Sequence, residues 1–453
     1  MISVDELNEE YAYAVGLQAY LWGYPLVNLW NRRTYASQVP EPGRSCGMVP
    51  VAPVNSISVL TDYVNWEEQV MVCPNHDTVY GEGFMDLTDD AVVFRWPDTG
   101  GRYWTWQVMD GFTNVLKAPG KQTAPGIISG SSPGLYLVVG PHWQGGVPAE
   151  VVEVIRSPTN LAWTIPRVCK AYAGDPGMHA IMNGIWMKPL RAYLACGPSQ
   201  EINYDEAPDF PTHDNKGREL NFAPSETFWE VFSAALALTQ VPESEVALKA
   251  TFGTLLARRN ERGVARGLTR ALEEGEKLLE RAAFFGNLGK RYSTGWTALL
   301  NGGDWGIDYL GRCGAAKAMI AMNLSKDAVY YQQVFDADGK ELDSAGRYVL
   351  HFEPWEIPPV KAFWSITMYD QHHFLVRNQL NRSHLGTVPD QTLAYNCDTS
   401  LDLYIQRDKP ETHLNNWLPT PREGSFALVM RAYGPEGPIL SGSYVPPAVH
   451  RLG

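Results

Sequence analysis

Apolar residues recur at helical spacing from the start of the chain: Leu7, Tyr11, Ala14, Val15, Leu21 and Trp22 share a face interrupted only by Gln18. Ser3 followed by Glu6 makes a capping box ahead of them, so the spacing predicts a helix over about residues 4–22. Gly23-Tyr24-Pro25 is expected to end or kink it, because proline has no amide donor and biases the residue before it toward extended backbone. From about 50 to 170 the pattern changes to short β-rich runs bounded by Gly, Pro and Asp. Residues 91–96, 103–109, 134–139 and 162–165 are the clearest strands there. Turns fill the gaps between them, which points to an antiparallel sandwich or jelly roll and away from βαβ units.

Helical spacing returns over 225–290, through Phe228, Phe232 and Leu236, then Phe252, Leu255 and Leu256, then Val264, Leu268 and Leu272. A short helix over 311–324 follows, and the chain then reads as strands at 347–352, 363–369, 401–405 and 426–433. The expected fold class is mainly β with helical segments (α+β): two antiparallel β-barrel or jelly-roll domains, with helices between them and at the N-terminus. The corresponding limits are 1–45 for the N-terminal helical segment, 46–200 for the first β domain, 201–300 for the helices and 301–453 for the second β domain.

Composition narrows the partners. With 453 residues the chain is long enough for more than one core, since single cores seldom grow past ~250–300 residues. A net charge of −13 opposes nucleic-acid and anionic-membrane partners, both of which need a positive surface. The six cysteines stand singly, without zinc spacing or a dense disulfide framework. The N-terminal residues lack a basic and apolar leader, and no apolar run is long enough to span a bilayer, so the expectation is a cytoplasmic protein that does not enter a membrane. A homodimer is compatible with the sequence.

Candidate chemistry concentrates in Met71-Val72-Cys73-Pro74-Asn75-His76-Asp77-Thr78-Val79-Tyr80-Gly81-Glu82-Gly83-Phe84-Met85-Asp86, where polar groups sit among apolar ones. Such a run is costly in a core unless its groups bond to one another or to a ligand. Asp77, with Asp110 or Asp86, supplies the paired carboxylates that acid–base work requires, and Tyr80 could join them if the chain bends. Asn75, Thr78 and Asn114 are the neighbouring substrate-binding candidates; the alternative is that Asn75, Asp77 and Thr78 merely cap a tight turn. Arg167 and Arg431, both on predicted strands or strand ends, suit an anionic group or a buried carboxylate partner. Trp305 and Tyr309 follow a Gly-rich loop and could line a cleft. Histidines show no metal-ligand spacing, and neither a Walker loop nor a Gly-x-Gly-x-x-Gly occurs, so no metal and no organic cofactor is expected. Ser132 matches a nucleophile elbow in letters only, because it leads into a strand where the elbow needs a helix.

Two motif sets carry a resemblance. Gly23-Tyr24-Pro25-Leu26 with Pro74-Asn75-His76-Asp77-Thr78-Val79-Tyr80 and Asp86-Leu87 resembles domain of unknown function 1254. Residues 358–370, Asn415-Asn416-Trp417-Leu418-Pro419 and Arg431-Ala432-Tyr433 resemble its usual C-terminal companion, domain of unknown function 1214. The resemblance implies two antiparallel barrel or jelly-roll domains with helices between, similar in outline to bacterial peptide N-glycosidases. It departs at Gly81, where the family is expected to carry Ser.

The leading functional expectation is a cofactor-independent enzyme, a hydrolase or lyase, acting on a small or glycosidic molecule by carboxylate acid–base catalysis. The competing expectations are a non-catalytic binding protein for carbohydrate or an apolar small molecule and, more weakly, a metal-dependent oxygenase or hydrolase. A carboxylate with a displaced pKa in the deepest cleft would favour the first over the second.

Overall fold

The first helix, α1 (Val4–Ser37), starts as the sequence predicts: the Ser3 hydroxyl accepts from the Glu6 amide, and the Glu6 carboxylate accepts from the Ser3 amide at 2.7 Å. It does not stop at Pro25 but continues through it for three more turns. Proline inside a helix costs about 3 kcal/mol, and here burial outweighs that cost. Trp22 through Leu29 are all buried, and Gly23 leaves room for the Phe232 ring, which would stand 2.5 Å from a Cβ at that position. Tertiary packing thus overrides the local stop signal. The structure, a computed structural model, describes residues 3–452 apart from 65, 68, 117–132, 199–201, 211–219 and 285–286. Ser132 lies outside the described residues.

The first half is built on two four-stranded sheets. One has the order β1 (Ser58–Val59), β2 (Val79–Asp86), β7 (Leu161–Val168), β4 (Trp104–Asp110), antiparallel throughout. The other has the order β8 (Trp186–Pro189), β3 (Val92–Trp96), β5 (Gly134–Val139), β6 (Val151–Arg156), antiparallel except for the parallel β5–β6 pair. Alternation along β4 sends Trp104, Trp106 and Val108 to one face and Thr105, Gln107 and Met109 to the other. The tryptophan face packs on the second sheet, Trp106 against Phe94 at 4.3 Å and Trp104 against Trp96 at 4.2 Å. The opposite face is left for the site.

Helices α2 (Phe228–Leu238), α3 (Val246–Ala257) and α4 (Arg262–Phe284) fall within the predicted 225–290. They pack on α1 with Trp22 at the junction, its ring 5.4 Å from Phe252 and 4.6 Å from Phe112 of the first half. α1 and α4 approach closely because α4 presents glycine, and the pair is edged by Arg266–Glu9 and Arg270–Glu10 ion pairs. Helix α5 (Tyr309–Ala318) then leads into the second half.

That half contains a six-stranded sheet whose main strands run β9 (Ala328–Gln333), β14 (Phe426–Pro435), β11 (Val360–Asp370), β12 (His384–Gly386). A four-stranded sheet built on β10 (Arg347–Phe352), β13 (Leu401–Ile405) and β15 (Val449–Leu452) covers one of its faces. Leu428, Met430 and Ala432 of β14 join Trp364, Ile366 and Met368 of β11 in the core between these sheets. The alternate residues, Val429, Arg431 and Tyr433 with Ser365, Thr367 and Tyr369, point the other way, toward the first half. The α+β fold with antiparallel sheets is therefore what forms, and among the described residues no sheet closes into a barrel. No helix among the described residues is long and apolar enough to cross a membrane.

Candidate functional site

The site lies where the free face of the β2–β7–β4 sheet meets the outward face of β9–β14–β11. Along β2 the period of two sends Tyr80, Glu82 and Phe84 to the same side. Pairing with β7 sets Tyr80 opposite Arg167 and Phe84 opposite Trp163. Phe84 and Trp163 stack at 5.7 Å, and the Trp163 indole N–H donates to Glu82 Oε1 at 3.0 Å. Across the gap, Tyr330 of β9 and Arg431 of β14 are direct cross-strand partners. The 71–75 loop, Arg32 of α1 and the 317–322 segment that leaves α5 close the sides of a cleft of about 840 Å³, counting solvent at its mouth.

Among the described residues Glu82 is the carboxylate that lines this cleft. It is 7 % exposed, and burial raises its carboxyl from 4.5 to about 7, against the opposing pull of Arg32 and the Trp163 hydrogen bond. Among the described residues that indole bond is the one its side chain accepts. Burial likewise pushes the Tyr80 hydroxyl up. Arg167 donates to Gln107 Oε1, to Asn323 Oδ1 at 3.4 Å and to the Ala321 carbonyl at 2.9 Å. Arg431 donates to Thr367 Oγ1 at 2.8 Å, to the Tyr369 hydroxyl at 2.7 Å and to the Cys73 carbonyl at 3.3 Å. Both arginines are thus held by neutral acceptors, and Asp77 behind the wall supports the charge of Arg431 at longer range.

Asp77 sits behind the cleft wall and is fully buried. Its Oδ2 accepts from Ser365 Oγ at 2.7 Å and from the Tyr433 hydroxyl at 2.8 Å, and that hydroxyl in turn accepts from Asn75 Nδ2 at 3.0 Å. Asn75 Oδ1 also caps the Asp77 amide at 2.7 Å. The stretch 71–78 is a loop, so the strand-like projection of Asn75 and Asp77 does not apply, and it is Tyr433 that reaches Asp77, not Tyr80. Asp77 Oδ1 stands 3.8 Å from His384 Nδ1; both are buried without a hydrogen-bond partner among the described residues, as are His384 Nε2 and Thr78 Oγ1. Burial lowers His384 to about 4. His351 of β10 is bonded to Asp402 of β13 at 2.6 Å, and among the described residues no group of three His, Cys, Asp or Glu side chains is arranged to hold a metal ion.

Of the residues singled out from the sequence, Asn75, Tyr80, Arg167 and Arg431 line the cleft. Thr78 and Asp77 lie behind it. Asp110 is taken up by its own turn, accepting from Phe112 N, Asn114 N and Asn114 Nδ2 at 2.8–2.9 Å, so Asn114 is engaged there too. Asp86 pairs with Arg33 at 2.7 Å in a separate surface groove. Trp305 is core, its indole donating to the Thr113 carbonyl at 3.2 Å, and Tyr309 packs under Arg312 with 5.0 Å from guanidinium to ring. Sequence reasoning gave Glu82 no role although it lies in the polar stretch, and it missed Arg32, Lys317 and Tyr330. A signal for Glu82 existed: it is a charge between two glycines in Val79-Tyr80-Gly81-Glu82-Gly83-Phe84, on the same strand face as two aromatics. Gly81 has its own reason, since a Cβ there would meet Val59 Cγ1 at 2.5 Å and the Ser58 carbonyl at 2.7 Å, which leaves no room for Ser.

These features define an α+β protein whose two antiparallel-sheet halves meet over an acid- and arginine-lined cleft. Residues 54–189 match the family described as Protein of unknown function (DUF1254), and residues 327–437 match Protein of unknown function (DUF1214). The chain pairs these two domains, the first N-terminal and the second C-terminal. Among solved structures it is similar to the VPA0106 protein from Vibrio parahaemolyticus, with TM-score 0.64 and 21% identity over 98% of this chain and 100% of that one, a likeness of fold. A putative uncharacterized protein from Burkholderia cenocepacia aligns with TM-score 0.45 and 10% identity over 98% of this chain and 94% of that one. No curated protein matches the chain.

Proposed function

We propose that the chain is an enzyme acting on a small molecule by proton transfer, as a hydrolase or lyase, and that Glu82 is the carboxylate that moves the proton. The observation that carries this reading is a buried carboxyl lining the cleft and held by one indole N–H. A group poised near neutral pH exchanges a proton with least bias in either direction, which is the property wanted in a general acid or base. Tyr80, two residues before it on the same face, offers a hydroxyl to the same space. Asp77 serves in this reading as a positioning residue, acting through Tyr433 and Asn75 on the cleft wall.

The test is conversion of a small-metabolite mixture, followed by mass spectrometry, by the protein and by Glu82→Gln. Glutamine keeps the size and an acceptor for the Trp163 N–H, so the melting curve should not fall while turnover drops about 10²-fold or more. Equal conversion by the two proteins would remove Glu82 from the chemistry. Depletion of a compound by binding, with no product from either, would favour the non-catalytic binding protein.

A further inference from the structure

We infer that the cleft takes a small carboxylic acid with an apolar body, its carboxylate seated between Arg167 and Arg431. The inference rests on the reading of this cleft as the functional site and adds the class of molecule that fills it. Arg167 and Arg431 are 8 % and 2 % exposed and come from the two facing sheets. Every hydrogen bond they donate goes to an amide, a hydroxyl or a carbonyl, and among the described residues neither has a carboxylate within 4.0 Å. A buried arginine is almost always matched by an anion, because an uncompensated charge in low dielectric is strongly destabilising. Arg32 and Lys317 bring two more positive charges to the same walls. Among the described residues the lining carries one carboxyl, Glu82, which burial raises to about 7. Asp77, bonded to Ser365 and Tyr433 behind the wall, supports the charge of Arg431 from beyond 4.0 Å, which leaves Arg167 as the arginine that a ligand must match.

A guanidinium can hold either a carboxylate or a phosphate, and the walls favour the singly charged carboxylate. Phosphate sites are typically built from backbone N–H groups at a helix N-terminus, whereas here the C-terminal end of α5, with Ala318, borders the cleft, and its carbonyls oppose a second negative charge. The remaining wall, with Met71, Ile165, Met319 and Ile320, suits an alkyl or aryl body.

Titration calorimetry of the intact protein with hexanoate and benzoate, against hexanamide, benzamide and inorganic phosphate, tests this. At least one acid should bind about tenfold or more tighter than its amide and than phosphate, the gain expected from charge-assisted hydrogen bonds. Arg167→Lys, which keeps the charge but not the fork, should lose about that factor. Lys317 is only half-buried, so Lys317→Glu reverses charge at the wall with the fold intact by melting curve, and it should abolish binding of the acid. Acid and amide binding alike, phosphate binding tighter, no acid binding at tens of millimolar, or undiminished affinity in a folded Lys317→Glu would each overturn the inference. Glu82→Gln should still bind the acid, so a cleft that binds acids but converts nothing would leave this inference standing while the catalytic reading fails.

Discussion

Replacing Asp77 by Ala and by Asn separates scaffold from chemistry. Its Oδ2 takes two hydroxyl protons, from Ser365 at 2.7 Å and Tyr433 at 2.8 Å, and both donors are themselves fully buried. Alanine leaves both hydroxyls without an acceptor, at about 1–3 kcal/mol each, so a loss of about 4 kcal/mol is expected once the small cavity is included. Asparagine can present its own oxygen to the same two donors. Each bond then weakens by roughly 1 kcal/mol as it changes from charge-assisted to neutral, but the cost of burying a carboxylate falls as well, so the net change is within about 1 kcal/mol. Urea unfolding of the parent and the two variants, read by tryptophan fluorescence, gives the comparison. Because Asp77 stands behind the wall, Asp77→Asn should keep ligand binding while Asp77→Ala, which frees Tyr433 and through it Asn75, should weaken it. Equal destabilisation by Ala and Asn would refute the argument, since it would mean that the two hydroxyl bonds are not what the carboxylate is for. A folded Asp77→Asn with turnover down about 10²-fold would instead make Asp77 the proton-transfer group.

The displaced titrations predict how stability follows pH. Glu82 is raised from 4.5 to about 7, so between these values the folded state holds a proton that the unfolded chain has released, and stability falls as pH climbs through that window. His384 and His373 are lowered from 6.5 to about 4 by burial, so there the unfolded chain holds the proton and stability is lost as pH falls from 6.5 toward 4. The two effects oppose each other, and the Glu82 part is isolated by difference: Glu82→Gln should gain on the parent by about 3 kcal/mol as pH rises from 4.5 to 8, and a pH-independent difference would contradict the assigned shift. In the helical layer, Gly267→Ala should lower the melting temperature although alanine favours helix by about 1 kcal/mol, because its Cβ would lie 2.4 Å from the Glu9 carbonyl oxygen of α1. A rise in melting temperature would show that α1 and α4 can separate without loss.

Periodicity made much of the fold legible. The strands at 92–96, 104–110, 134–139 and 347–352 fall within a residue or two of where alternation placed them, and the capping box set the start of α1. What it could not show was β2, whose residues Val79 to Met85 are all buried, so the strand has no polar face to give it a period. The same lack hid β9, Ala-Val-Tyr-Tyr-Gln-Gln, buried at every position. The end of α1 was misread for a related reason. Gly23 and Pro25 are stop signals only for a helix whose stability is local, and this segment is held by Phe232 and its neighbours, which lie some two hundred residues away.

The site was half legible, and the division follows from how each group is held. Asn75, Tyr80, Arg167 and Arg431 could be picked out because a polar residue in an apolar strand or turn is conspicuous in one dimension. That Asp77 and Asp110 would not meet could not be read, because each carboxylate is claimed by partners that only the fold identifies: Ser365 and Tyr433 from the second half for one, and its own turn for the other. Glu82 escaped for the opposite reason. Glycine on either side makes it look like a turn residue, whereas these glycines are there so that β2 can lie against β1 and its surroundings: a Cβ at Gly83 would meet Met187 Cε at 2.7 Å and the Ser56 carbonyl at 2.9 Å. Close packing on that face leaves the other face free to carry Tyr80 and Glu82 into the cleft. Arg431 then reaches the same space from a strand some 350 residues later, with Tyr330 opposite it. A site assembled from facing sheets of two domains has no sequence motif of its own. Its residues stand out in the sequence only as polar groups set among apolar neighbours, Arg167 and Arg431 on their strands and Asn75 in its loop.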